Sequence, residues 1–573
     1  MSKLLLICYK QNQSIAKLLK EQTNFFTKRL TPDNLVPKPT QVISSNKLNI
    51  LIFNPTLSLK VNNASVCLGN MLLEKNDWHE PMAEAPLGTY ALFRSNDSFI
   101  ELLSDRVASR TIWYYCDERI FVASTSQRAI IIAKGSFHFN DQVIPWMLTS
   151  GVIGPENSYD TEIKQLPPES RCVFDINNWN LKLYTKVAHF TNTPAPKHIL
   201  RMKLEKELDY VFSNFSPNAG NWILPLSGGV DSRGILLMLL KHGIKPETIT
   251  WGLPESKQDH DSDAFVASRL SKAFNITNLF YPVEFATDSF ETVFNRFLIA
   301  GDGRIDHLSG YLDGFELWNG LFKNNVQGII RGDEGFGWEE VYTEADVYNS
   351  LGINILTGSK LWNRFNELGI PEPLFPAALK RKKDEGISTW RDRLYHHYRI
   401  PVMLAALNDL KLPYLEITNP FLTHNIINFV QQLPENLRTR KVLFRNYIHS
   451  ISPKIPYATR SSIQYHPDIF KNETVSNYLI NEIKNNHKND IFSCDFLNAL
   501  INYWENSRQE DLKSKTGNRL KTSIKNLMPY WIKSILRNSF YTKEIDFKVF
   551  LFRTIILLKM NEICKYDATI FKT

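Results

Sequence analysis

Apolar positions along the chain follow two rhythms. Up to about residue 190 they fall in short alternating or continuous runs bounded by turn residues, such as "KLNILIFNP", "TYALFRSNDSFIELLSD" and "RTIWYYCDERIFVAST". This pattern predicts a strand-rich region with no strong helix among the strands. The Pro-containing stretch "FTNTPAPKHI" then separates it from a different pattern. From Leu204 onward helical periods alternate with compact apolar runs, "WILPL", "RGILLMLLKHG", "TITWGL", "DAFVASRLSKAFN" and "NLFYPVEF". Strand followed by helix, repeated, predicts a parallel sheet covered on both faces. Beyond about Arg399 the pattern reads as mostly helical and ends in a basic tail. The expected domains are 1–190 and 200–573.

Length supports that division, because 573 residues exceed what one hydrophobic core serves. The net charge of +8 suits an anionic ligand or an acidic partner, and suits a solvated surface equally well. Cys8, Cys67, Cys116, Cys172, Cys494 and Cys564 form no C-x-x-C pair, so reduced thiols are expected rather than zinc or a disulfide framework. The apolar start of "MSKLLLICYKQNQ" is too short for a secretion signal, and "VFLFRTIILLKM" is broken by Arg553 and Lys559. A cytoplasmic protein is expected, with no membrane span and no nucleic-acid partner.

The chemistry concentrates in "ILPLSGGVDSRGILLMLL". Leu224 to Leu226 read as a strand and Arg233 to Leu240 as the next helix, leaving Ser227, Gly228, Gly229, Val230, Asp231 and Ser232 at the sheet edge. Two glycines let backbone amides approach an oxyanion, and Ser227, Ser232 and the helix N-terminus add donors. Asp231 would repel a bare phosphate, so its presence predicts a bridging cation, most simply Mg²⁺ on pyrophosphate. A second acidic segment, "GIIRGDEGFGW", places Asp333 and Glu334 at another strand end, where two acids can share one hard cation.

The first loop is neither a Walker A nor a dinucleotide fingerprint. It resembles the S-G-G-x-D-S loop of the ATP pyrophosphatase superfamily, whose members adenylate a substrate and release pyrophosphate. The second segment resembles the acidic motif of the asparagine synthetase family, although Ile330 and Arg331 stand where that family usually has small residues. The resemblance implies ATP as substrate, Mg²⁺ on Asp231 and Asp333, and Gly332 beside the nucleotide. "TITWGLPES" lies where the family's second strand meets adenine, which implies Trp251, Gly252 and Leu253. "ITNPFLTHNIINFVQQLPENLR" resembles the family's segment before its K-x-x-L-R stretch. "TRKVLFRNYI" then aligns Lys441 with the catalytic lysine and Arg445 with the arginine. A fixed cation suits the negative charge that builds as an amine displaces AMP from an acyl-adenylate. Glu334 and Glu385 are the candidates for general base.

Residues 1–190 resemble the family's glutaminase domain through "LLSDRVASRTIWYY…IFVASTSQRAI". The implied fold is α/β: an Ntn-type αββα sandwich, degenerate in its chemistry, followed by a doubly wound pyrophosphatase domain with a helical tail. A working glutaminase of this kind begins with cysteine once Met1 is removed. Here Ser2 stands in that place, and Cys8 lies inside an expected strand. The nucleophile is then an amine from elsewhere, as in β-lactam synthetases and lasso peptide cyclases, which resemble this chain in lacking a working glutaminase. That resemblance implies macrolactam formation on an acidic precursor peptide, with a leader-peptide-binding or protease partner. The basic run from Leu512 to Lys543 would suit such a peptide. Two alternatives stay open: amidation of aspartate or a sugar uronate with external ammonia, and a degenerate nucleotide-binding protein.

Overall fold

The computed structural model describes residues 3–10, 15–45, 47–56, 58–215, 222–333, 335–354, 367, 369–463, 466–486, 488–513 and 546–570. Ser2, Glu334 and nearly all of the basic run (514–545) lie outside them.

Two antiparallel sheets occupy the first half. One has the order β10-β8-β9-β1-β3-β2, from β1 (Lys3–Tyr9), β2 (Gln41–Ser44), β3 (Leu48–Phe53), β8 (Trp113–Cys116), β9 (Ile120–Ser124) and β10 (Lys164–Gln165). The other runs β12-β11-β7-β6-β5-β4, from β4 (Lys60–Asn62), β5 (Ser65–Leu73), β6 (Leu87–Ser95), β7 (Phe99–Ser104), β11 (Ser170–Asp175) and β12 (Asn180–Thr185). The central β1 explains the apolar start of the chain. Leu4, Leu6 and Cys8 enter the core between the sheets, while Leu5, Ile7 and Tyr9 enter a second core on the opposite face.

Helices α1 (Ile15–Leu30), α2 (Gln127–Lys134) and α3 (Val143–Ser150) supply that second core, so the region is less purely stranded than its pattern predicts. The expected αββα layering is only half present among the described residues. The outer face of the second sheet carries Cys67, Met71, Trp78, Tyr90, Leu92 and Leu103, and packs on β17 (Glu416–Thr418) and the turn Pro420–Leu422.

The third sheet is parallel, with the order β15-β14-β13-β16-β17: β13 (Trp222–Pro225), β14 (Glu247–Gly252), β15 (Asn278–Pro282), β16 (Gly328–Ile330) and β17. Helices α4 (Lys197–Ser213), α5 (Val230–Lys241) and α6 (Asp263–Ala273) pack with Leu224 and Ile330 on one face. Ile223, Ile249 and Ile329 join the large core on the other. β17 interrupts a stretch that reads as helical in sequence. Three residues are too few for a period to register, and the strand carries the buried charge Glu416.

The last helix, Phe547–Thr569, returns to the first half. Its Asp567 accepts hydrogen bonds from Arg29 and Arg128, and its Arg553 pairs with Asp306. Among the described residues no helix is long and apolar enough to cross a membrane.

Candidate active site

From β13 the chain moves outward to β14 and β15, then crosses back to β16 and β17 on the other side. The carboxyl ends of β13 and β16 therefore flank the crevice where such sheets hold ligands. A cavity of about 340 Å³ opens there, lined by Ser227, Gly229, Asp231 and Ser232 after β13 and by Arg331, Gly332 and Asp333 after β16. Trp251, Trp338 and Arg399 line it as well.

Helix α5 begins at Val230, three residues earlier than its pattern predicts, so Asp231 and Ser232 sit in its first turn. The cradle is braced from within. Ser227 Oγ lies 2.9 Å from Ser232 Oγ, the Gly229 amide donates to Ser227 Oγ, and the Gly228 amide donates to Asp263 Oδ1 at 2.9 Å. The Gly228 amide expected to face an oxyanion is thus engaged by a carboxylate at the start of α6. Gly228 is needed for close approach, because a Cβ there would lie 2.2 Å from Ala458 Cβ. Ala458 belongs to a segment that sequence reading missed. Residues 455–463 cross the loop, with the Ala458 amide on Gly228 O and the Arg233 guanidinium on Ile455 O and Pro456 O.

The acids come together through Gly332, where a Cβ would stand only 3.0 Å from Asp231 Cβ. Each acid is half satisfied. Lys441 Nζ lies 2.5 Å from Asp231 Oδ2, and Arg331 holds Asp333 Oδ1 at 2.8 and 3.1 Å. Among the described residues, Asp231 Oδ1 and Asp333 Oδ2 are buried with no hydrogen-bond partner. Two bare carboxylate oxygens from neighbouring strand ends are a donor set that fits a hard divalent cation.

Lys441 reaches this place through an unusual backbone. Arg440 and Lys441 both adopt the left-handed conformation, at φ 54° and 57°, and the Arg440 amide donates to Trp338 O at 2.8 Å. Consecutive non-glycine residues in that region are costly and cluster where a side chain must be aimed.

The other candidates scatter. Trp251 lines the cavity and packs edge-on against Trp318. Gly252 is covered by Ser462, whose carbonyl takes the Leu253 amide at 2.7 Å, and Leu253 lines a separate cavity of about 270 Å³. Val230 is half-buried at the start of α5. Arg445 is exposed, its guanidinium 5.5 Å above the Tyr457 ring. Glu385 does not line the cavity. Burial raises its carboxyl, but the Arg393 guanidinium outweighs that and holds it below the usual range, which unsuits it for a base. Arg399 and Trp338 were missed. Arg399 lies within the π-helix Tyr395–Leu404 and stacks 5.0 Å over Trp338.

No family model and no curated protein matches the chain. It is similar to the solved structure of the allosteric regulatory enzyme of purine biosynthesis, with 7% identity over 49% of this chain and 80% of that one, at a TM-score of 0.20. At that score the likeness says nothing about the site.

Proposed function

We propose that the cavity binds ATP with magnesium and that the chain is an amide synthetase, forming AMP and pyrophosphate in the manner of the asparagine synthetase family that it resembles. The observation that carries this reading is the pair of buried, partnerless oxygens on Asp231 and Asp333 beside the Ser-Gly-Gly turn and Lys441.

The roles follow from the residues. Asp231 Oδ1 and Asp333 Oδ2 hold the cation, which when bound supplies charge neutralisation for the phosphates. The first turn of α5 directs free amides and its positive end toward phosphate oxygens. A carboxylate oxygen of the substrate bonds to the α-phosphorus as the α–β bridge breaks and pyrophosphate leaves. An amine nitrogen then bonds to the acyl carbon, the bond to AMP breaks, and the nitrogen gives up a proton to solvent water. Lys441, held by its strained backbone, stabilises the charge of both displacements.

In this reading the first half is a glutaminase-like framework that supplies no ammonia. Cys8 is buried in β1, and burial pushes its thiol up to about 12. The amine is therefore taken from the substrate or from solution, and macrolactam formation on an acidic peptide is the reading we favour.

Pyrophosphate release from ATP with Mg²⁺, across acidic peptides, aspartate and uronates, each with and without ammonia, tests this. Turnover on a peptide without ammonia, abolished in Asp231→Asn, is expected. Turnover only with ammonia moves the assignment to an amidating synthetase, and no pyrophosphate from any substrate ends the enzyme reading.

A further inference from the structure

Two ion pairs stand at the cavity and differ in kind, with Arg399 a further cation on its wall. Lys441 comes to Asp231 from 210 residues away. Arg331 comes to Asp333 from two residues away on the same loop, its own amide fixed to Thr418 O at 2.8 Å. Arg331 Nε and Nη2 both point at Asp333 Oδ1, leaving Oδ2 bare. A guanidinium stays charged at every working pH.

A divalent cation entering alone meets two acids already neutralised by an ammonium and a guanidinium, and both cations repel it. A polyphosphate changes that balance. It brings negative charge for the guanidinium to turn to, and further oxygens to complete the shell of a hard cation. Arg331 lines the same cavity as the Ser227–Ser232 cradle, within reach of whatever that cradle holds.

We propose that Arg331 is a built-in counter-cation for Asp333 that makes divalent-metal binding conditional on the polyphosphate. It holds Asp333 while the cavity is empty and passes to a phosphate oxygen when the nucleotide arrives, so that metal and nucleotide bind as a coupled pair. This rests on Asp231 and Asp333 being the metal-holding acids. Arg331 is then a positioning residue, and the coupling is reciprocal: whatever the nucleotide does for the metal, the metal does for the nucleotide.

Direct titration of the full chain with Mn²⁺, reading free Mn²⁺ by electron paramagnetic resonance with and without α,β-methylene-ATP, tests the proposal without any turnover. The chain is expected to bind Mn²⁺ at least about tenfold more tightly with the analogue than alone. Arg331→Ser is expected to tighten Mn²⁺ alone by about tenfold and shrink the coupling, and adding Asp333→Asn should reverse that gain. Arg331→Lys keeps the charge and should keep most of the coupling, which covers the case where the serine variant does not fold. Unchanged or weaker Mn²⁺ binding in Arg331→Ser, or equal binding by the native chain with and without the analogue, overturns the proposal. The two readings fail separately. Coupling without pyrophosphate formation sinks the synthetase, whereas pyrophosphate formation without coupling sinks only the role of Arg331.

Discussion

Asp105 and Asp231 both stand just beyond a strand, and the protein treats them in opposite ways. Asp105, after β7, is 2% exposed and its two oxygens accept from the amides of Tyr90, Val107 and Ser109 and from the Ser109 hydroxyl. Nearby Arg110 places Nη1 on both oxygens of Glu416, at 2.9 and 3.0 Å. Asp231 and Asp333 each keep one buried oxygen bare. A buried carboxylate saturated by the protein holds structure together, and one left half saturated is open to a ligand. The contrast reads Asp105 as scaffold and Asp231 with Asp333 as the site.

The largest effects should come from breaking the saturated set. Asp105→Ala strands three amides, and Arg110→Ala leaves Glu416 charged and buried where β17 meets the first half. Each should cost about 3–5 kcal/mol in urea unfolding. If either variant kept its stability and lost turnover instead, the distinction between scaffold and site would collapse. Lys441→Met tests the other side. It should lower pyrophosphate formation about 10²–10³-fold, and it should cost less stability than Arg110→Ala because Asp231 is the more exposed carboxylate.

A smaller effect sharpens the picture of the cradle. Gly228→Ala drives a methyl into Ala458 and should cost about 1–3 kcal/mol, with weaker nucleotide binding by calorimetry. Ala458→Gly in the same chain should restore part of both, and an unrepaired double variant would mean that Val266 Cβ and the Ala458 backbone nitrogen, each 3.0 Å from the added methyl, set the limit rather than the Ala458 methyl.

That segment shows where sequence reading stops. Ser227 to Ser232 are contiguous, and the strand, turn and helix that give them meaning lie within a few residues, so local pattern is enough. Asp333 could be named because it follows a short apolar run, and Lys441 because "TRKVLFRNYI" resembles a family stretch, not from any local period. Asp263 and Ala458 reach Gly228, and Arg399 the cavity, only through long-range closure, and a π-helix with Pro401 inside leaves no period to read. The second helical layer failed as an expectation for a related reason: the outer face of the β4–β7 sheet is covered from the other half of the chain, by β17.

The link between the halves makes a last, graded test. His397 Nε2 accepts the Ala188 amide at 2.9 Å, and His396 is packed against Phe190 and Gln431, both on the connection or its contacts. Burial drives both imidazoles far down, His396 to about 3 and His397 to about 4. Folded, they stay neutral where the unfolded chain takes up protons. Their contribution is therefore fully present above an unfolded value of about 6.5 and is lost as pH falls from there toward about 4 and then about 3. Unfolding free energy should fall by up to about 1.4 kcal/mol per pH unit for each histidine across that window. His397→Gln should remove its share of the slope, because an amide in its place has no proton to gain. A slope unchanged in that variant would mean that Ala188 is held by something other than a neutral imidazole. The connection would then have to be counted with the saturated scaffold on other grounds.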